Sequence, residues 1–168
     1  MKNSIAVVGL GNLLLADEGF GVHLVRHLSS CYTFSGVDII DGGTIGFRLI
    51  EYFLTYTRLI FVDAIRVDDT PGSIYRFSLS EVPPNVTFVS SIHEIGLGDV
   101  LEHVKLMGLT CDATVVGVVP AAVSPNRMST SLSSVLSRAV GKVASVVLEE
   151  IVSAGGSYAR RGNCPEHT

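Results

Sequence analysis

Three side chains that lie far apart in the sequence have the chemistry of a shared polar site: the carboxylates of Glu18 and Asp63 and the imidazole of His93. Together they offer oxygen and nitrogen donors without a thiolate. Such a set suits nickel, zinc, iron or manganese and leaves coordination positions open. The residue types therefore predict an open metal site, provided that the fold brings the three side chains together.

Each of these residues also has an ordinary structural explanation. Asp17 and Glu18 precede a predicted helix, where acidic side chains favour the helix dipole and accept hydrogen bonds from free amides. A single histidine near the start of a helix, such as His93, is commonly a cap or a surface residue. Asp41 is followed by Gly42, Gly43 and Thr44, a pattern typical of a turn after a strand, so a functional role for Asp41 stays open.

The elements that would position these side chains alternate along the chain. Short apolar runs predict buried strands at residues 4–9, 37–41, 59–62 and 114–119. Apolar residues at helical spacing predict helices at residues 21–30, 45–56, 97–107 and 129–153. Residues 73–79 alternate between polar and apolar, as a half-exposed edge strand does, and residues 82–91 are expected to be irregular or extended.

This alternation predicts the fold class and the place of the site. Four strand-to-helix repeats indicate an α/β domain, a three-layer sandwich with a twisted, largely parallel central sheet and helices on both faces. We expect one domain over residues 1–156 and a flexible tail over residues 157–168. Asp63 directly follows the third strand, and the carboxyl ends of parallel strands share one edge of a sheet. Glu18, Asp63 and His93 are therefore expected at the same rim.

Composition excludes several classes of partner. The net charge of −4 provides no basic stripe, so nucleic acid is not an expected partner. No apolar run approaches the roughly 18 residues of a membrane helix. The three cysteines are odd in number and contain no CxxC pair, and no export signal is visible. We therefore expect a cytoplasmic protein without a disulfide framework or a structural zinc site, with Cys31 and Cys111 filling the core.

The glycine-rich loop after the first strand suggests a dinucleotide site only weakly. Gly9 and Gly11 fit the GxGxxG pattern, but the third position is Leu14. Asp17 and Glu18 would each repel a phosphate charge by roughly 3 kcal/mol at about 5 Å, which exceeds a helix-dipole attraction of at most about 2 kcal/mol. The loop is therefore expected to attract a cation or to cap the helix.

Two further motifs lack a necessary part. His23 and His27 have the spacing of a chelating pair on one helix, but HLVRH lacks the glutamate of HExxH, so a solvated helix face is expected. No GxSxG sequence is present to form a serine nucleophile elbow.

The order of several short motifs resembles the hydrogenase maturation proteases, the nickel-dependent endopeptidases that trim the large subunit of nickel-iron hydrogenases. The matching stretches are GLGNLLLADEGFG (9–21), IIDGGTIG (39–46), FVDAI (61–65), PGSI (71–74), HEIGLGDVL (93–101) and VGVVP (116–120). A glycine loop alone is common, whereas this whole series is specific.

The resemblance implies a cytoplasmic enzyme that removes a short C-terminal extension from the precursor large subunit after nickel has been inserted. Its metal-binding residues correspond to Glu18, Asp63 and His93, with Asp41 as a possible auxiliary carboxylate. The nickel is expected to belong to the metal centre of the precursor rather than to be held permanently, and a monomer is expected. Two alternatives stay open: a nickel-sensing or assembly protein that binds the precursor without cutting it, and a dinucleotide-dependent oxidoreductase.

Overall fold

A computed structural model describes residues 4–44, 46–89, 97–121 and 127–164. Its central sheet has six strands in the order β3-β1-β4-β7-β5, with β6 paired to β4, and a second sheet consists of β2 and β8. The strands are β1 (Ile5–Leu10), β2 (Tyr32–Ser35), β3 (Val37–Gly43), β4 (Arg58–Arg66), β5 (Ile74–Ser78), β6 (Thr87–Phe88), β7 (Asp112–Val118) and β8 (Ser157–Arg160). The α-helices are α1 (Phe20–Cys31), α2 (Leu49–Thr55), α3 (Leu97–Leu106) and α4 (Ser134–Ser153).

The sheet confirms the predicted fold class. Strands β3, β1, β4 and β7 run parallel, and β5 pairs antiparallel with β7 at the edge. Every residue of β1 is buried, as expected for a strand covered on both faces. The half-exposed β5 is the predicted edge strand, whose alternating polar residues face solvent.

Two apolar layers cover the two faces of the sheet. Ile60 and Val62 of β4 pack in one layer with buried residues of α1 and α4, and Phe61 and Ile65 pack in the other with buried residues of α2 and α3. Alternation along the strand sends successive side chains to opposite faces, so this division fixes the face to which each residue of β4 points. Among the described residues, no helix is both long and apolar enough to cross a membrane.

Several element boundaries differ from the prediction. Strand β4 continues through Asp63 to Arg66, because Ala64 and Ile65 remain buried and pair with β7 and β6. Helix α2 is shorter than predicted, since a 3₁₀ turn precedes it. Helix α4 begins at Ser134 rather than at residue 129, because the Oγ of Ser133 caps it by accepting from the amide of Leu136 at 3.3 Å.

The largest departure concerns the cysteines and the tail. The expectation of unpaired cysteines is wrong, because Cys31 and Cys164 form a disulfide. The expectation of a flexible tail over residues 157–168 does not hold for residues 157–160, because they form β8 and pair antiparallel with β2, a strand that the sequence did not indicate. Residues 165–168 lie outside the described residues. Cys111 is a free, half-buried thiol, and burial raises its pKa.

Candidate active site

Two glycines allow α1 to begin directly on the carboxyl edge of the sheet. A Cβ atom on Gly9 would lie 2.1 Å from the carbonyl oxygen of Gly21, and a Cβ on Gly21 would lie 2.2 Å from the carbonyl oxygen of Val62. Such distances are far inside van der Waals contact, so both positions require glycine. The close approach places the first turn of α1, and the loop before it, against the ends of β1 and β4.

Asp17 holds the loop in place. It lies in a 3₁₀ turn, Ala16–Gly19, that contacts β4, and its side chain is completely buried. Its carboxylate accepts hydrogen bonds from the amide of Ala121 at 2.9 Å, and from the amide and the hydroxyl of Ser133 at 2.8 Å each. Three donors in a buried setting are a strong anchor for a carboxylate.

Glu18 is the next residue of the same turn and is half-buried. Its backbone is fixed on both sides, because its amide donates to the carbonyl oxygen of Leu15 at 3.1 Å and its carbonyl lies against Gly11. Gly11 has a φ of +134°, which only glycine adopts readily, and a Cβ there would lie 1.8 Å from the Glu18 carbonyl oxygen. The sequence placed Glu18 in a loop before a helix, and the structure supplies the backbone contacts that set its position.

Asp63 lies within β4 and is completely buried. Strand β1 pairs with β4 only as far as Val62, while β7 continues alongside and pairs with Asp63 through Gly117. Asp63 is therefore the first residue of β4 beyond its pairing with β1, on the strand that contacts the turn of Glu18. By alternation with Val62, its side chain belongs to the face of Phe61 and Ile65, which α3 covers.

Asp41 belongs to the opposite face. It pairs in register with Gly9 of β1, which pairs in turn with Val62 of β4, so Asp41 shares the face of Val62 and not that of Asp63. Its exposed carboxylate accepts a hydrogen bond from Arg26 of α1 at 3.2 Å. The structure thus places Asp41 at the same edge of the sheet as Asp63 but on the other side.

His93 lies outside the described residues, so its predicted role stays a prediction. The other two histidines considered in the sequence analysis, His23 and His27, lie towards opposite ends of α1. His23 is in the first turn of α1, where burial lowers its pKa despite a hydrogen bond to the backbone of Thr130. His27 lies near Cys31 at the other end of the helix. The expected solvated face holds for neither, because both are half-buried.

A cavity of about 570 Å³ opens at the carboxyl ends of β4 and β7. Its wall includes residues 65–69 after Asp63 and residues 119–121, the last of which donates its amide to Asp17. The cavity is open to solvent, and Asp68 and Asp69 are part of its wall.

Glu18 and Asp63 carry the type of donor atom that a divalent ion binds. The turn that carries Glu18 packs on the strand that carries Asp63, and carboxylate oxygens are ligands that nickel, zinc, iron and manganese accept.

The sequence did not predict that Asp17 anchors this turn. Its hydrogen-bond partners are more than 100 residues away along the chain, so no local pattern indicates them.

Comparison with known proteins agrees with this architecture. The hydrogenase maturation protease family, described as HycI, matches residues 22–150. The hydrogenase 2 maturation protease of Escherichia coli K12 is 34% identical over 154 residues, an alignment that takes in 89% of this chain and 94% of that protein. The hydrogenase expression/formation protein HupD of Rhizobium leguminosarum is 40% identical over 106 residues, which take in 62% of this chain and 52% of HupD, so the match spans about half of that relative.

The likeness extends to the fold. The structure of the hydrogenase maturating endopeptidase HybD from E. coli superposes with a TM-score of 0.78 at 28% identity, covering 95% of this chain and 98% of HybD. The fold is thus that of an α/β endopeptidase. The chain belongs to the hydrogenase maturation protease family.

Proposed function

We propose that this endopeptidase removes a C-terminal extension from the precursor of the large subunit of a nickel-iron hydrogenase, and that it acts after nickel has been inserted. The observation that carries the proposal is the packing of the Glu18 turn on β4, the strand that contains Asp63, at the carboxyl edge of the sheet. Ligands of α/β proteins gather at this edge.

The nickel in this proposal belongs to the substrate. Glu18, Asp63 and His93 add oxygen and nitrogen ligands to an ion that the precursor already holds, and the enzyme needs no ion of its own. A bound ion polarises a scissile carbonyl or lowers the pKa of an attacking water. Three side chains alone leave coordination positions of the ion open, and the precursor fills them. The enzyme therefore acts only on a precursor whose metal centre is loaded.

The residues around the rim have separate tasks. Asp17 keeps Glu18 in position through its hydrogen bonds to Ala121 and Ser133. The cavity beyond Asp63 receives the peptide that follows the metal centre. Asp41 lies on the opposite face of the sheet and pairs with Arg26, so it takes no part in this proposal. Neither a serine nor a cysteine nucleophile is required. We further propose that the enzyme works as a monomer in the cytoplasm.

The test is the mass of the precursor after incubation with the enzyme. Nickel-loaded precursor is expected to lose a C-terminal peptide, and the same precursor prepared without nickel is expected to keep its full mass. Equal cleavage of both forms would refute the dependence on nickel. Stable binding of the loaded precursor without any change of mass would instead support a nickel-sensing or assembly role.

A further inference from the structure

His27, Cys31 and Cys164 form a cluster at the C-terminal end of α1. His27 and Cys31 are one helical turn apart, and Cys164 reaches them from the segment that follows β8. The Nδ1 atom of His27 lies 3.6 Å from the Sγ atom of Cys31, and one donor atom from each of the three residues lies within 4.8 Å of the others. In the described part of the chain, this is the group of three that has the spacing of metal ligands.

The cluster is remote from the acidic rim. Helix α1 begins where Gly21 packs on the carbonyl of Val62, at the carboxyl edge of the sheet. Its 12 residues give it a length of about 18 Å. The cluster therefore lies at the opposite edge of the sheet and is not part of the proposed active site.

We propose that reduction of the Cys31–Cys164 disulfide creates a metal site, in which two thiolates and the imidazole of His27 hold a zinc-class divalent ion. The reductant is a phosphine or a dithiol. With a phosphine, the disulfide takes up two electrons and two protons as the phosphine and one water become phosphine oxide. The two resulting thiols then release their protons when the ion binds.

The geometry of the cluster suits such an ion. Zinc lies about 2.3 Å from sulfur and about 2.0–2.1 Å from imidazole nitrogen, so tetrahedral coordination places the two ligand atoms about 3.6 Å apart. His27 and Cys31 already have this separation. The negative end of the α1 dipole also favours a cation, and two thiolates cancel the charge of a divalent ion.

The surroundings keep Cys164 close after the disulfide opens. Strand β8 is paired with β2 along four residues, from Tyr32 opposite Arg160 to Ser35 opposite Ser157. The amide of Arg161 donates to the carbonyl of Cys31 at 2.7 Å, and its Nε donates to the carbonyl of Tyr32 at 3.2 Å. These contacts do not depend on the sulfur bond, so the third ligand stays next to the helix.

The experiment is a cobalt titration of the full chain, because tetrahedral Co²⁺ bound to thiolates has strong visible and near-ultraviolet absorption. The chain reduced with a phosphine is expected to bind one Co²⁺ with a thiolate-to-cobalt band, which Zn²⁺ then abolishes by displacement. The oxidised chain is expected to give no band. Absence of the band in the reduced chain would overturn the proposal.

Cysteine variants locate the site. Cys31→Ser and Cys164→Ser are expected to lose the band, whereas Cys111→Ser, which changes the free cysteine, is expected to keep it. A band that persists in Cys164→Ser, or that disappears in a folded Cys111→Ser, would contradict the proposal. Circular dichroism establishes that each variant is folded.

His27→Ala leaves both thiols in place and tests the imidazole separately. It is expected to weaken Co²⁺ binding by at least about tenfold, on the scale of lost metal-site partners. The matched control is His103→Ala, an exposed histidine of α3, which should leave the affinity unchanged. Equal affinity of His27→Ala and the wild type would remove the imidazole from the site and overturn the proposed ligand set.

Discussion

Asp17 and Ser133 are 116 residues apart in the chain, yet both carboxylate oxygens of Asp17 accept hydrogen bonds from Ser133 at 2.8 Å. The Oγ atom of Ser133 also accepts from the amide of Leu136, in the first turn of α4. Asp17 therefore joins the turn that carries Glu18 to the N-terminus of the longest helix. The two neighbouring acids have different tasks: Asp17 faces inward and supports the fold, while Glu18 is the proposed ligand.

Replacing Asp17 tests this division of tasks. In Asp17→Asn, one oxygen becomes an amide group that faces a hydrogen-bond donor, so the charge-assisted bonds are weakened. We expect a loss of about 2–3 kcal/mol in the free energy of unfolding, measured with urea. Glu18→Gln makes the same chemical change one residue along and should cost less than about 1 kcal/mol. Equal losses in the two variants would show that Asp17 is not the anchor.

Gly21→Ala tests the close approach of α1 to the sheet. Its new Cβ atom would meet the backbone oxygens of Val62 and Leu10 at 2.2 and 2.3 Å, so the helix must move. We expect a loss of more than about 2 kcal/mol of stability, together with loss of cleavage. The control is Gly98→Ala in α3, where a Cβ meets nothing within 4 Å, and which should be neutral or slightly stabilising. A stable and active Gly21→Ala would contradict the packing.

The ion pairs of Glu150, a buried residue of α4, give a third prediction. Glu150 is almost completely buried and accepts from Arg58 at 2.5 Å and from Arg76 at 2.7 Å, while Arg58 also donates to Thr114. Glu150→Ala leaves the charge of Arg58 without its buried partner and is expected to cost about 3 kcal/mol in thermal or urea unfolding.

The neighbouring acid provides the control. Glu149 is largely exposed and lies 3.7 Å from Arg76, so Glu149→Ala should change the stability by no more than about 0.5 kcal/mol. The interpretation fails if the two alanine variants are equally stable.

The burial of His23 leads us to expect that the free energy of unfolding depends on pH. Burial lowers its pKa below the ordinary value of 6.5, so the folded state favours the neutral imidazole. As the pH falls below about 6.5, the unfolded chain binds a proton that folded His23 does not, and the free energy of unfolding decreases. His23→Gln should therefore lose less stability than the wild type between pH 7 and pH 5. Identical slopes of stability against pH would rule out this contribution.

The sequence predicted the fold where periodicity and burial agree. The runs of β1 and β7 are apolar on both faces, and α1 and α3 repeat apolar residues at helical spacing, so these four were predicted to within two residues at each end. Strand β4 extends four residues beyond its predicted end, and α4 begins five residues after its predicted start. The β2–β8 pair was missed because both strands have only four residues and their paired residues lie 122–128 positions apart in the chain. Pairing between such distant residues leaves no local periodic pattern in the sequence of the tail.

The site could be predicted in part. Because ligands gather at the carboxyl ends of parallel strands, the sequence predicts that Asp63 and the loop of Glu18 lie together. In the structure, the turn of Glu18 packs on β4, the strand that contains Asp63. The same rule predicts that Asp41 lies nearby. Because side chains alternate between the two faces of the sheet along β3, however, Asp41 lies on the other face and contacts Arg26. A loop before α1 gave no sign that Asp17 would reach Ala121 and Ser133, because such contacts arise only from tertiary packing.

The most direct test of the account is the mass of nickel-loaded precursor after incubation with single variants of the proposed ligands. Glu18→Gln, Asp63→Asn and His93→Ala should each leave the precursor at full length while remaining folded. The exposed controls Glu149→Gln and His103→Ala should release the C-terminal peptide as the wild type does. Full activity in any one of the three ligand variants would contradict the claim that these side chains act together.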